Sequence, residues 1–268
     1  MLALLPRSDA TTFFVDVSAL RKAGVLNVFS ASKSAEEPEY QDFVRQTHFD
    51  YTHDIRAIAG AIDDQRILLI IRGRFDWTRL SQYASAHRGV CKDALCNLHT
   101  SKPGRWLSFL SIQPDVMGVA IASDGAAALG LVPHTRAPGG QIPSHPVWVK
   151  VAKSVLQKPQ GLPVAIRIFA ISLQSADEVT LSLDNSPADA SEFTLELNAE
   201  CPSSATADTI KSQLELQTRI VQMEFTREHQ HANSGDLTGL LVAGKFAVQG
   251  KQMMGTWPIR KELFSALE

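Results

Sequence analysis

Five consecutive aliphatic residues, Ile67-Leu68-Leu69-Ile70-Ile71, stand between Arg66 and a pair of arginines at 72 and 74. Successive side chains of a strand point to opposite faces, so a run without polar alternation requires a sheet covered on both sides. The run follows "DIRAIAGAI" (54–62) across the acidic stretch "DDQ", and two apolar runs around a short polar turn predict a β-hairpin. With DDQ as a three-residue turn, Ile62 faces Arg66, Ile58 faces Ile70, Arg56 faces Arg72 and Asp54 faces Arg74, all on one face. Its polar end then carries three guanidinium groups and one carboxylate, a setting for an anionic ligand. The plainer alternative is a solvated strand end with an Asp54–Arg74 ion pair, and a turn of another length shifts the register and dissolves the cluster.

Elsewhere the pattern alternates between strands and helices. "TTFFVDV" (11–17) predicts a strand, and Ser18 opens a helix in "ALRKAGVLNVF". "YQDFVRQT" carries a short helix after a polar loop. Asp76 caps a helix in "WTRLSQYASAHR", with Phe75 packed at its start. A cysteine-bearing loop leads to a hairpin of "WLSFLSI" and "VMGVAIAS", then to a short helix from Asp124. "PHTRAPGGQIPSHP" (133–146), with four prolines, is the densest breaker stretch and marks a linker between lobes at 1–132 and 147–268. Beyond it the spacing predicts a helix in "VWVKVAKSVLQK", a strand in "LPVAIRIFAISL" and alternating strands "EVTLSLDN" and "EFTLELNAE". A helix of about 40 Å follows, with Ile210, Leu214, Val221 and Phe225 near one face. A further short helix in "GDLTGLLVAG", a hairpin turning at Gly250 and a closing helix in "RKELFSALE" complete the chain.

Set side by side, 54–132 and 178–268 both read β-β-α-β-β-α. The expected class is α+β: two similar lobes, each an antiparallel sheet with helices on one face, ferredoxin-like or a related ββαββα repeat.

The chain holds 26 basic and 28 acidic residues, and neither half is basic, so the electrostatic footprint of a nucleic-acid partner is missing. No apolar run approaches the roughly 20 residues that span a bilayer, so no transmembrane segment is expected. "MLALLP" is too short for a complete signal peptide and fits either the tail of one or a plain N-terminus. Cysteines 91, 96 and 201 leave the redox compartment open; four residues between Cys91 and Cys96 admit a bridge, which geometry decides.

"HFDYTHD" gathers His48, Asp50, His53 and Asp54, chemistry suited to a divalent metal, though no standard ligand spacing is met. His229 and His231 pose the same question at the end of the long helix, where water and the helix dipole are the simpler account. Cys201, before Pro202, stands where a helix N-terminus would stabilise a thiolate, against its reading as a small buried filler. "APGGQIP" offers backbone to a phosphate but reads better as linker. Phosphate-loop, dinucleotide, nucleophile-elbow and zincin motifs are missing, and no cofactor is implied.

"LLPRSDATTFFVDVSALRKAGVL", together with "IRGRFDWTRL" leading into a helix and "SDGAAALGLV" after a hairpin, resembles uncharacterised bacterial proteins. Many of these are exported or envelope-associated and begin their mature part with Leu-Pro, a Thr and a V-x-V-x-x-L start. The resemblance implies an exported or envelope-associated protein and carries over no catalytic residue. The expected function is therefore a non-enzymatic binding or interaction protein for a protein or small anionic ligand, with oligomerisation open. The alternative is a metal-dependent hydrolase or other enzyme built on His48, Asp50 and His53 or on Cys201.

Overall fold

The structure is a computed structural model that describes residues 1–6, 9–24, 38–131, 144–158, 160, 164–185, 192–227 and 242–260. The chain divides into two compact units, Met1–Ile142 and Pro143–Glu268. Both are α+β, with strands that pair antiparallel.

The first unit opens with a 3-10 turn, Leu2–Leu4, and strand β1, Thr11–Val15. Helix α1 (Val17–Lys22) is capped by Asp16, whose carboxylate accepts the Ala19 N–H at 2.8 Å. The expected cap, Ser18, lies inside the first turn instead and donates its hydroxyl to the Arg56 carbonyl at 3.3 Å. Helix α2 (Pro38–Thr47) begins on a proline, whose missing N–H costs nothing in the first turn. A single turn, α3 (Tyr51–Asp54), leads into β2 (Ile55–Ile62), which turns back as β3 (Ile67–Gly73).

Asp76 caps α4 (Trp77–Ala86) as expected, accepting the Arg79 N–H at 3.1 Å. The cysteine-bearing segment is not a loop. It forms a hairpin, β4 (Val90–Lys92) and β5 (Leu95–His99), bridged by the disulfide Cys91–Cys96 between directly opposed residues. Asp93 provides the positive φ of its tight turn. Strands β6 (Trp106–Gln113) and β7 (Val116–Ala122) form the expected second hairpin, followed by a 3-10 turn, Ala127–Gly130.

The strand order is β1-β2-β3-β7-β6-β5-β4, so β3 and β7 lie at the centre, and the aliphatic run is covered on both faces. Leu68 and Ile70 pack with Ala59, Ala61, Val116 and Leu131 beneath the N-terminal turn. Leu69 and Ile71 pack on the opposite side with Met117, Val119 and Leu80, against Phe43 of α2 and Trp77 of α4.

In the second unit two expectations are exchanged. "VWVKV" is strand β8 (Val147–Val151), not helix, because its valines alternate with period two. It is followed by the short helix α5 (Lys153–Gln157). "VAIRIFAIS" is helix α6 (Val164–Ser172), not strand: Ala170 and Leu173 are buried while Ile168 and Ile171 face out, a three-to-four-residue period hidden in β-branched composition. Strands β9 (Glu178–Asn185) and β10 (Glu192–Glu200) and the long helix α7 (Ser204–Arg227) follow as expected. Ser203 caps α7 by accepting the Thr206 N–H at 3.1 Å. The closing hairpin, β11 (Lys245–Gln249) and β12 (Gln252–Arg260), turns at Gly250 with φ 60°.

The order here is β8-β9-β10-β12-β11. Phe193, Leu197, Ala199, Met253 and Trp257 form its apolar face, and α7 contributes the buried Ala207, Ile210 and Leu214. A split β-α-β lobe would place a parallel pair inside the sheet. None of the pairings within either unit among the described residues is parallel, so the ferredoxin-like arrangement is not met. Most of the expected helices in 235–244 and 260–268, and most of the 133–146 linker, lie outside the described residues.

Phe13 of β1 pairs with Gly60 of β2, and a Cβ on that glycine would lie 2.4 Å from the Phe13 ring. The ring thus occupies the space a side chain would fill. Gly60→Ala should lower the urea-unfolding free energy by about 1–3 kcal/mol. That penalty should shrink in a Phe13→Ala background; an equal cost in both would refute the packing account.

Candidate functional site

The β2–β3 turn has four residues, Asp63–Arg66, rather than three. Asp63 explains the length: its Oδ1 accepts the N–H groups of Gln65 and Arg66, and its Oδ2 receives Arg66 Nε at 2.8 Å. Ile62 consequently faces Ile67, Ile58 faces Ile71, and Ala57, not Arg56, faces Arg72. The predicted register is therefore one residue out through most of the hairpin. A bulge at Arg56 absorbs that residue, and Ile55 pairs with Gly73.

Beyond the bulge the expected partners meet. The Arg74 N–H donates to the Asp54 carbonyl at 3.1 Å, while its guanidinium Nε and Nη2 reach Asp54 Oδ1 at 2.9 and 2.6 Å. The glycine between the two arginines is a steric requirement: a Cβ at Gly73 would stand 2.7 Å from the Asp54 carbonyl oxygen. Arg72 instead approaches Asp115 at 3.6 Å, and Arg56 is exposed. The three arginines therefore do not form the facing cluster predicted.

Asp54 also ties this strand end to the "HFDYTHD" segment. Its Oδ2 accepts the Asp50 N–H at 2.8 Å, closing the single turn α3. Asp50 is the cap of that turn. It accepts the Thr52 N–H at 2.8 Å, the Thr52 hydroxyl at 2.5 Å and the Tyr40 hydroxyl at 2.9 Å, with His53 Nδ1 2.9 Å from its other oxygen. Partial burial pushes the Asp50 carboxyl upward, but the bonds from Thr52, His53 and Tyr40 together outweigh it and bring it down to about 2. Burial raises the Tyr40 phenol, and the hydrogen bond to Asp50 and its charge reinforce the shift.

An anionic carboxylate only accepts, so Nδ1 of His53 carries the proton, on a side chain that is 74% exposed. His48 ends α2 with φ 55° and is exposed. Among the described residues no three His, Cys, Asp or Glu side chains gather as a metal would require.

Two members of this network gave no sequence signal. Arg21, on the last turn of α1, donates to the Thr52 carbonyl at 3.2 and 2.7 Å and to the Ile55 carbonyl at 3.0 Å. It satisfies acceptors left open where α3 ends. Tyr40 reaches Asp50 from α2. Both partnerships are set by packing rather than by local spacing.

Cys201 is a buried free thiol that donates to the Ala199 carbonyl at 3.6 Å. Burial, with the charge of Asp177, raises its pKa and so opposes the thiolate a nucleophile needs. His229, His231 and "APGGQIP" lie outside the described residues. No helix among the described residues is long and apolar enough to cross a membrane.

No protein-family model matches the chain, and no curated protein matches it. Solved structures do share its fold. Crystal form III of TP0453 aligns with a TM-score of 0.53 at 13% identity, over 99% of this chain and 96% of that one. Crystal form I aligns at 0.51 and 12% identity, over 99% and 95%. At this identity the likeness shows the fold alone.

The Asp50 carboxyl, depressed below its unfolded value of 3.8, stabilises the fold above about pH 4, and this contribution is lost as pH falls toward 2. In thermal melts from pH 5 to pH 2, the gap between the native chain and Asp50→Asn should narrow with acid; a constant gap would remove Asp50 from the acid response.

Proposed function

We propose that the chain is a non-enzymatic binding protein made of two copies of one antiparallel α+β unit, with lobes at 1–132 and 147–268 joined by 133–146. Strand order supports the repeat. Strands β1-β2-β3 are followed by α4 and a final hairpin whose last strand, β7, lies beside β3. Strands β8-β9-β10 are followed by α7 and a hairpin whose last strand, β12, lies beside β10. The disulfide hairpin β4–β5 is then an insertion in the first copy, and a bridge of this kind suits an exported protein.

The binding element is the end of the β2–β3 hairpin, which takes an anionic group of a small ligand or partner. One observation carries this reading. Arg74 is 69% exposed, yet the carboxylate of Asp54, only 10% exposed, fixes one edge of its guanidinium. The remaining donors are thereby oriented in advance, which lowers the entropy an anion must overcome to bind. Arg56 and Arg72 add positive charge at the same strand end.

The test is a titration of isotope-labelled protein with inorganic phosphate and with acetate, followed by NMR at the Arg74 Nε–H. A saturable shift is expected. It should vanish in Arg74→Gln while the melting temperature stays within a few degrees of the parent's. No saturable shift with either anion would end this reading.

A second reading, a metal-dependent hydrolase, is favoured by the Asp50–His53 pairing, since a carboxylate behind an exposed imidazole is the usual support of a metal-bound histidine. His48 would be a further ligand. Zinc titration of tag-free protein distinguishes the two: stoichiometric zinc, lost in His53→Ala, would replace the binding reading with the enzymatic one. Absence of bound zinc is the result expected here.

A further inference from the structure

Helix α7 reverses its polarity along its length. In its first half Ala207, Ile210 and Leu214 face the sheet with no exposed surface, while Asp208, Thr209 and Ser212 face solvent. In its second half the inward positions fall to Gln217, Thr218 and Val221, and Leu216, Ile220 and Met223 are exposed. At 3.6 residues per turn, 216, 220 and 223 lie on the side of the helix opposite 214, 218 and 221. The apolar burial that docks α7 is therefore concentrated before residue 215.

The inward polar groups of the second half are also incompletely paired. Thr209 and Ser212 donate their hydroxyls one turn back, to the carbonyls of Ala205 and Asp208 at 2.8 and 2.9 Å. Thr218, 5% exposed, makes no such bond. Its Oγ1, Oε1 of Gln217 and Nε1 of Trp257 are all buried without a hydrogen-bond partner among the described residues.

Trp257 belongs to the floor beneath this half. Its ring lies over Gly255, where a Cβ would come within 2.8 Å of it, and meets Phe246 edge-on at 5.4 Å. Its Nε1 abuts Gly244, and Gln222 of α7 donates to the Val242 carbonyl two residues away at 2.9 Å. A buried donor or acceptor left unpaired costs the docked state its lost hydration. The bonds that fasten this half, Gln217 to the Ser172 hydroxyl at 2.8 Å and Gln222 to Val242, are neutral, and water replaces such bonds at little net loss.

We propose that residues 215–223 form a lid that lifts from the sheet as one unit, turning at Leu214 while residues 204–214 stay docked. Lifting hydrates Gln217, Thr218 and Trp257 together and bares the Trp257 and Phe246 rings. The reversed polarity selects this motion over release of the whole helix. The docked half keeps Ala207, Ile210 and Leu214 in the core, whereas the lid gives up little apolar contact beyond Val221, and segments with few buried apolar contacts open first.

The test is native-state hydrogen exchange of the full chain, followed by NMR at the backbone amides of α7 in urea well below the unfolding midpoint. Amides 218–223 are expected to share one opening free energy, lower than that of 207–214 and less dependent on urea. Thr218→Val, which replaces the unpaired hydroxyl with a methyl, should slow exchange across 218–223 roughly tenfold. Ile210→Val, in the docked half, should speed exchange of 207–214 and leave 218–223 unchanged. Opening free energies that grade residue by residue toward Arg227 would reduce the motion to fraying and overturn the lid. One shared value for 207–223 would overturn it as well, as would unchanged or faster exchange in Thr218→Val.

Discussion

The Asp54 carboxylate holds the end of the β2–β3 hairpin in the form on which its surroundings depend. It takes two guanidinium donors from Arg74 on one oxygen and the Asp50 N–H on the other. Charge-assisted bonds of this type are stronger than neutral ones, and a buried carboxylate deprived of them would pay its full desolvation cost. Through them the single turn α3 is closed, the bulge at Arg56 is stabilised, and the chain leaves β3 toward Phe75. That residue stacks on Phe49 at 5.4 Å and meets Trp77 at the start of α4. One acidic side chain thus joins a strand end, a helical turn and an aromatic cluster.

The two units solve the problem of covering a sheet differently. In the first, both faces of the central strands are apolar and both are covered, which is why β3 carries no polar alternation. In the second, alternation is kept: Phe193 and Leu197 point toward α7, while Thr194, Glu196 and Asn198 point the other way. On that polar side His145 places its two ring nitrogens 3.3 and 3.5 Å from Asp184 and Glu196.

Much of the fold was legible where side-chain period was unambiguous. The runs 178–185 and 192–200 alternate cleanly and are strands over those spans; Asp76 was readable as a cap because an apolar residue precedes it and a periodic segment follows. The failures have physical causes. Composition and period disagree in "VAIRIFAIS", where isoleucines favour strand but burial follows a helical face. The hairpin at 90–99 has strands too short to show a period, and its disulfide depends on opposition across a turn rather than on spacing. For the site, the Asp54–Arg74 pair was foreseen on a register that was wrong elsewhere, and the bulge at Arg56 restored it. The hydrogen bonds of Arg21 and Tyr40 span 31 and 10 residues or more, and no local pattern encodes them.

The disulfide bears on how the first unit meets other chains. Strand β4 is the terminal strand of its sheet on that side, three residues long, with Val90 pointing into solvent. An outermost strand offers unpaired backbone donors and acceptors, a template on which a neighbouring chain can add. Covalent closure of Cys91 to Cys96 keeps that strand paired with β5 and limits the accessible backbone to a stub too brief to recruit another. Under oxidising conditions the hairpin is therefore a stopper against sheet-to-sheet aggregation, and in a reducing environment the same edge would be free to fray.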